Sequence, residues 1–493
     1  MHRPVLAVAL IEFADGILFA LGIASRLVSL VLFVNMTMAY LCVPDDRINF
    51  THILSNPNDF YGATPYTYWF AALLIMVLGP GLISVDTLIK RWLDRKYKAR
   101  ASALSSFHSI FFKGAGGMRI AYVLTSLGVG GAERQALAVA DCMAHRGHEV
   151  SVLVLSPRLV DEWPTNLPTV CLNMRKTPVS VLSGLAQARH FLRGFRPDLP
   201  HSLSFHANIV ARLLKLLVPS TKIVSTVHNV YEGARMRMLA YRLTDVLASH
   251  TTAVSQAATD RFIHLKAIPR KKCLVLPNGI DLAEFTPSTE RRKNTRTEMA
   301  GGDSFIWLAA GRLVPAKDFP NLLRAFKLVR AANPNTQLWI AGAPAEEMLR
   351  KSVDGKSGFV SGFVVERDSM ENVRLLGFRR DMPALFDAAD AFVLSSAWEG
   401  MPLAVAEAMA MEKPVVATDA GGTRELIGDA GTIVPPKNAD ALAAAMLDLM
   451  QQPAEFRQTL GQSARARISS HFNIETRANE WEALYQAIVE ARH

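Results

Sequence analysis

The sequence predicts an α/β protein: two successive doubly wound units facing a cleft, preceded by about three membrane-crossing helices. Three observations carry this. Apolar runs long enough to cross a membrane crowd the first 85 of the 493 residues. From Met118 a short strand, a glycine-rich turn and a helix follow one another, which is how a βαβ unit and a parallel sheet begin. Near Phe305 the same order restarts, so a second unit of similar size is expected, with a cleft between the two. The composition, 50% hydrophobic and 20% charged, excludes a disordered or collagen-like chain.

The apolar runs span roughly 4–24, 27–43 and 66–84, and a crossing takes about 20 residues. A signal peptide accounts for one such run, not three; buried helices of a globular domain are the other reading. Ser25 and Arg26 separate the first two runs, and a polar loop with Asp45, Asp46 and Asp59 precedes the third. A basic stretch with Lys90, Arg91, Arg95, Lys96, Lys98 and Arg100 follows. Lys and Arg near a membrane end favour the cytosol, so everything beyond residue 90 is expected there. Glu12 and Asp15 share one helical face inside the first run and need protein or water beside them. They read either as a polar relay or as interior packing. The segment resembles the carboxy-terminal part of DoxX-like membrane proteins in Glu12…Asp15-Gly16, in Gly22-Ile-Ala-Ser-Arg26-Leu27 and in Phe60-Tyr-Gly-Ala-Thr-Pro-Tyr66 with Leu78-Gly-Pro-Gly81. Those proteins are helical bundles, and this chain holds three of the helices, read here as an anchor. The expected organisation is therefore a membrane segment over 1–88 and a basic linker over 89–117. A first α/β domain over 118–286, a second over 287–473 and a terminal helix over 474–493 that packs back toward the first complete it.

Strands are expected at 118–124, 148–155, 222–227, 251–254 and 273–276 in the first domain. In the second they are expected at 305–310, 337–341, 373–376, 391–394 and 414–418. Helices are expected through Ala144, over 321–332 and around 402–411. The Arg- and Thr-rich stretch 287–304 reads as a hinge. Pro200 removes a donor from the strand after Asp198, which predicts a weakened or edge strand; 355–366 reads as an irregular insertion, and Ala343-Pro344 as an altered turn. Cys42, Cys142, Cys171 and Cys273 lie far apart, as reduced thiols would. No HExxH occurs among the thirteen histidines, and no metal is expected.

The chemistry concentrates in a few places. Glu399 and Glu407 stand eight residues apart around Pro402, where proline favours the first turn of a helix. Both carboxylates can then face one cleft beside the free amides and positive end of that helix. Such a site suits a ligand with hydroxyls and phosphate. Arg312 and Lys317 follow a strand end; a guanidinium fork and an ammonium can hold a diphosphate whose charge grows as its bond breaks. Gly130 and Gly131 let backbone amides approach a phosphate from the other half. They are not the GxGxxG of a dinucleotide fold. His228 follows the strand 222–227, where a ligand contact is expected; a structural histidine is the alternative.

Together these features resemble the family-4 glycosyltransferases of GT-B fold across nearly all of 118–493. The resemblance rests on Thr125-Ser-Leu-Gly-Val-Gly-Gly-Ala-Glu-Arg134, Pro277-Asn-Gly-Ile-Asp281, Gly311-Arg312…Lys317-Asp318, Glu399 to Glu407, and Ala417-Thr-Asp-Ala-Gly-Gly-Thr-Arg-Glu425. It implies transfer from a nucleotide-sugar, commonly a UDP-sugar, with retention at the anomeric carbon and without an essential metal. Arg312 and Lys317 would then hold the diphosphate with the amide of Gly131, beside Gly130. Glu399 would meet donor-sugar hydroxyls, with Met401, Leu403 and Ala404 near sugar and phosphate. Glu407 would take the ribose, His228 would stand by the donor sugar, and Gly377-Phe378-Arg379 would border the base. The departing phosphate would itself help deprotonate the acceptor.

The leading expectation is a transferase tethered to the cytoplasmic membrane that acts on a lipid-linked or cell-surface glycan precursor. A transferase for a soluble acceptor, and a non-catalytic nucleotide-sugar-binding membrane scaffold, are the alternatives. The basic balance (54 Lys and Arg against 44 Asp and Glu) fits an anionic membrane surface. It fits nucleic acid as well, but no basic motif interleaved with aromatics supports that partner.

Overall fold

The computed structural model describes Thr37 and residues 117–491, apart from 129, 158–163, 176, 219–220, 234, 300, 343–358, 361–362 and 365–370. The expected membrane helices over 1–88, the linker up to 116 and the turn at 343–344 lie outside the described residues. So does most of the insertion at 355–366. Among the described residues no helix is long and apolar enough to cross a membrane. Two compact units divide the chain at Ser109, and the second contains both α/β lobes.

The first lobe is built on seven strands: β1 (Arg119–Leu124), β2 (Glu149–Val154), β3 (Thr169–Cys171), β4 (Leu199–Leu203), β5 (Val224–Val227), β6 (His250–Ala253) and β7 (Cys273–Val275). They pair in parallel in the order β3-β2-β1-β4-β5-β6-β7. The second lobe has β8 (Phe305–Ala310), β9 (Thr336–Ala341), the two-residue antiparallel pair β10 (Phe359–Val360) and β11 (Phe363–Val364), β12 (Val373–Gly377), β13 (Ala391–Leu394), β14 (Val415–Thr418) and β15 (Thr432–Val434). Its main sheet is parallel in the order β12-β9-β8-β13-β14-β15. Strands such as Ile120–Leu124 and Ile306–Ala310 are apolar throughout and buried, because helices cover a parallel sheet on both faces.

The helix Ile474–Glu490 buries Trp481, Tyr485 and Ile488 in the same cluster as β1 and the helix Gly131–His145. The chain reaches it by crossing from the second lobe: Ile280 N–H donates to Phe472 O at 2.7 Å and Ile474 N–H to Ile280 O at 3.0 Å.

Two expectations need correcting. The strand carrying Pro200 is neither weak nor at an edge; β4 lies between β1 and β5 with all five residues buried. One missing ladder donor is outweighed by that burial and by side-chain bonds. His201 shares hydrogen bonds of 2.7 Å with both Tyr485 Oη and Thr226 Oγ1. Burial pushes its imidazole down to about 3, so it stays neutral. The stretch 287–304 is likewise no loose hinge, because Thr289–Glu298 is a helix capped by Ser288. It has no apolar stripe to announce it. Its arginines hold it instead: Arg291 meets Asp387 at 2.5 Å, and Arg292 and Arg296 meet Asp390 at 2.5 and 3.1 Å.

Asp390 also accepts the Ile306 amide at 2.8 Å, which ties this helix to the start of β8. Asp390→Ala removes the carboxylate partner of two guanidinium groups, which keep only backbone carbonyls, and of a strand amide. It should lower unfolding free energy by about 2–3 kcal/mol, read as a reduced chemical-denaturation midpoint.

Candidate active site

Gly311 follows β8 at φ +150°, and a Cβ there would lie 2.9 Å from Lys317 Cε. The bare backbone lets the lysine fold back along the strand end. Its loop is fastened to the end of β13: Ala397 N–H donates to Ala316 O and Ser395 Oγ–H to Lys317 O, both at 2.8 Å. Lys317 Nζ therefore reaches Glu399 Oε1 at 2.5 Å, and Ser396 Oγ–H donates to the same oxygen at 2.6 Å. Glu399 is 8% exposed. An ammonium and a carboxylate thus stand preformed at the carboxyl ends of two neighbouring strands, where open parallel sheets bind ligands.

Glu407 lies on the helix Leu403–Ala410, which begins after Pro402 without a side-chain cap. Its Oε1 accepts from Arg134 of the first lobe at 2.7 Å, and Arg134 also meets Glu284 at 2.6 Å. Burial pushes the Glu407 carboxyl up to about 7, while Arg134 and Lys317 pull it down and Glu284 adds to the rise.

The helix Gly131–His145 is uncapped by Gly130 as well. A Cβ on Gly131 would meet Leu403 Cδ1 at 3.1 Å, so the starts of two helices from opposite lobes face one another. Their first-turn amides lack intrahelical acceptors. Glu133 folds over this first turn: its Oε2 would lie 2.1 Å from a Cβ on Gly130. Burial raises the Glu133 carboxyl, and Arg312 opposes the rise. The Arg312 side chain is exposed and makes no hydrogen bond or ion pair among the described residues.

His228 follows β5. Its amide donates to Glu232 Oε1 at 3.2 Å, and Glu232 Oε2 accepts from Tyr241 at 2.6 Å. Burial pushes the His228 imidazole down to about 4, and its Nε2 has no partner among the described residues. It borders a small cavity with Gln135 and Asn278. Asn229, next in sequence, bridges to Gly400. A Cβ on Gly400 would sit 1.9 Å from His228 O, so only glycine lets the lobes meet there. Met401 O accepts from Asn278 Nδ2 at 3.5 Å, and Leu403 and Ala404 open the helix beside Gly131.

Glu399, Lys317 and Glu407 form one constellation with Gly130, Gly131, Met401, Leu403, Ala404 and His228 at its border. Arg312 reaches it through the field on Glu133. Arg379 is instead held by Asp381 at 2.5 Å. No role is assigned to Arg134, Glu133, Ser396 or Glu425 from the sequence. Arg134 sits one turn beyond Gly131, the signal that could have drawn attention to it. Glu425 accepts from the amides of Gln256 and Ala257 at 2.7 and 2.8 Å, capping a first-lobe helix from the second lobe. Among the described residues no His, Cys, Asp and Glu side chains group as metal ligands.

Residues 129–284 match the profile of Glycosyltransferase Family 4, and 290–467 that of Glycosyl transferases group 1. An Escherichia coli UDP-Gal:alpha-D-GlcNAc-diphosphoundecaprenol alpha-1,3-galactosyltransferase is 25% identical over 334 residues, 65% of this chain and 82% of that one. A Corynebacterium glutamicum GDP-mannose-dependent monoacylated alpha-(1-6)-phosphatidylinositol monomannoside mannosyltransferase is 30% identical over 213 residues, 41% of this chain and 52% of that one. Among solved structures, Anabaena Alr3699/HepE in complex with UDP and glucose superposes with a TM-score of 0.64 at 21% identity, covering 75% of this chain and all of that one. This is a likeness of fold, in agreement with the expected GT-B architecture. The two profiles run almost end to end across both lobes, and the chain is a glycosyltransferase with a family-4 first lobe and a group-1 second lobe.

Proposed function

We propose that this enzyme moves a sugar from a nucleotide-sugar, a UDP-sugar in the first instance, to a lipid-linked or cell-surface glycan precursor. It acts with retention and without a metal at the cytosolic face of the inner membrane, with residues 1–88 as the tether. One observation carries the donor reading: Lys317 and Glu399 are paired at 2.5 Å beside two facing helix starts. Fixed positive charge and free amides gain most when negative charge builds on a leaving diphosphate.

In this reading Lys317 and Arg312 hold the diphosphate, Glu399 accepts from donor-sugar hydroxyls and Glu407 accepts from the ribose. His228, neutral at physiological pH, stands by the sugar as a hydrogen-bonding ring. The bond between anomeric carbon and phosphate oxygen breaks as the acceptor oxygen bonds to the same face. The acceptor proton passes to the departing phosphate. Support for the acceptor comes from the two relatives, whose names specify a diphosphoundecaprenol and a phosphatidylinositol monomannoside.

Lys317→Ala and Glu399→Gln should each reduce transfer from the best UDP-sugar about a hundredfold or more while the folded fraction holds. Near-wild-type turnover in either variant rejects the assignment. Glu407 accepts from hydroxyls fully only when ionised, so nucleotide affinity should rise as pH increases through about 7. Arg134→Gln should move that rise to higher pH, visible in calorimetric titrations from pH 6 to 9. For stability the sign is opposite. A carboxyl raised above its ordinary 4.5 stabilises the fold below that value and loses its contribution as pH rises through about 7. Glu407→Gln should therefore flatten the pH dependence of the unfolding midpoint across that window.

A further inference from the structure

The first lobe carries a surface that neither its core nor its cleft uses. Of the sixteen large apolar side chains that stand exposed among the described residues, eleven fall between residues 178 and 247, and of these Tyr231 stands apart at the cleft, with its ring against Trp398 of the second lobe. Over residues 168–247 the sequence has eleven Lys and Arg against three Asp and Glu. That segment carries +8 of the chain's net charge of +10, although one of its cations, Arg212, is buried in the core.

The helices Phe205–Leu217 and Arg235–Thr244 pack against each other, and the turn Asp245–Leu247 continues the second. Each already has a face toward the core: Ala207, Ala211 and Leu214 on one, Tyr241 on the other. Each also has apolar residues on the outside. Leu216 is 63% exposed, Leu243 68%, Met236 73% and Val246 76%. Met236, Leu239 and Leu243 are spaced by three and four residues, so they form one stripe. Arg235 and Arg242 flank that stripe, Lys215 lies on the neighbouring helix, and neither helix contains an acid.

Exposed apolar area of this kind marks an interaction site. The charge selects the occupant. A second copy of this face would set cation against cation. A lamella of anionic lipid offers an apolar layer beneath phosphate groups, the arrangement that an apolar stripe edged by Lys and Arg matches. We infer that this face of the first lobe rests on an anionic lipid surface, with Met236, Leu239, Leu243 and Val246 at the acyl boundary and Lys215, Arg235 and Arg242 among the lipid phosphates. The inference deepens the lipid-acceptor reading, and rests on it only for its purpose.

The test uses the full-length protein in phosphatidylglycerol-rich vesicles, phosphatidylcholine vesicles and detergent micelles. An environment-sensitive fluorophore is placed at Leu243→Cys and, as control, at Phe456→Cys on the second lobe, with labelled wild type subtracted for its native cysteines. Quenching by doxyl-labelled lipid should be at least about threefold stronger at position 243 than at 456. It should weaken in phosphatidylcholine and fall again with Arg235→Glu plus Arg242→Glu. Equal quenching at both positions overturns the inference. So does a blue shift at 243 already complete in detergent, which would show another segment or a second copy covering the face. Quenching that ignores both lipid charge and the arginine changes overturns it too. No transfer is measured, so failure here leaves the donor reading to stand or fall with Lys317 and Glu399.

Discussion

A lysine ammonium set 2.5 Å from a glutamate carboxylate at the mouth of a parallel sheet imposes conditions on everything around it. The lysine must turn back along its strand, which leaves no room for a side chain at Gly311. Its loop must be anchored, and Ser395 and Ala397 anchor it from the neighbouring strand. The carboxylate, largely withdrawn from water, needs a second donor, and Ser396 supplies it. Removing charge from water is costly unless it is paired and hydrogen-bonded. The enzyme therefore carries its charges already oriented, so little reorganisation remains when a ligand's charge develops.

The cleft is closed by contacts that join the lobes at several points. Arg134 reaches Glu407 from one side and Glu284 on its own. Glu425 reaches across to the start of the helix Gln256–His264. Asn229 pairs with Gly400 through a backbone contact that no larger residue permits. The terminal helix, entered after Phe472 passes Ile280, is packed into the first lobe's core with β1. The lobes are thus coupled by polar contacts at the cleft and by apolar burial behind it.

Much of this was legible beforehand. The strand, glycine and helix order after Met118 and again after Phe305 follows from continuous apolar strands broken by turn residues. The spacing from Glu399 to Glu407 around Pro402 places one carboxylate in a loop and the other on a helix. Pro200 misled because a local rule about donors ignores burial on both faces. The helix Thr289–Glu298 misled because its stability comes from Asp387 and Asp390, about a hundred residues away.

The sequence alone determined the class of fold, the order of its elements and which residue types could serve a phosphate and hydroxyls, since periodicity and turn chemistry are local. Only the tertiary structure decided that Lys317 pairs with Glu399, that Arg134 pairs with Glu407, and that exposed apolar side chains share a region rich in cations. Those facts depend on which distant segments the folded backbone brings within a few ångströms, and spacing along the chain does not encode that distance.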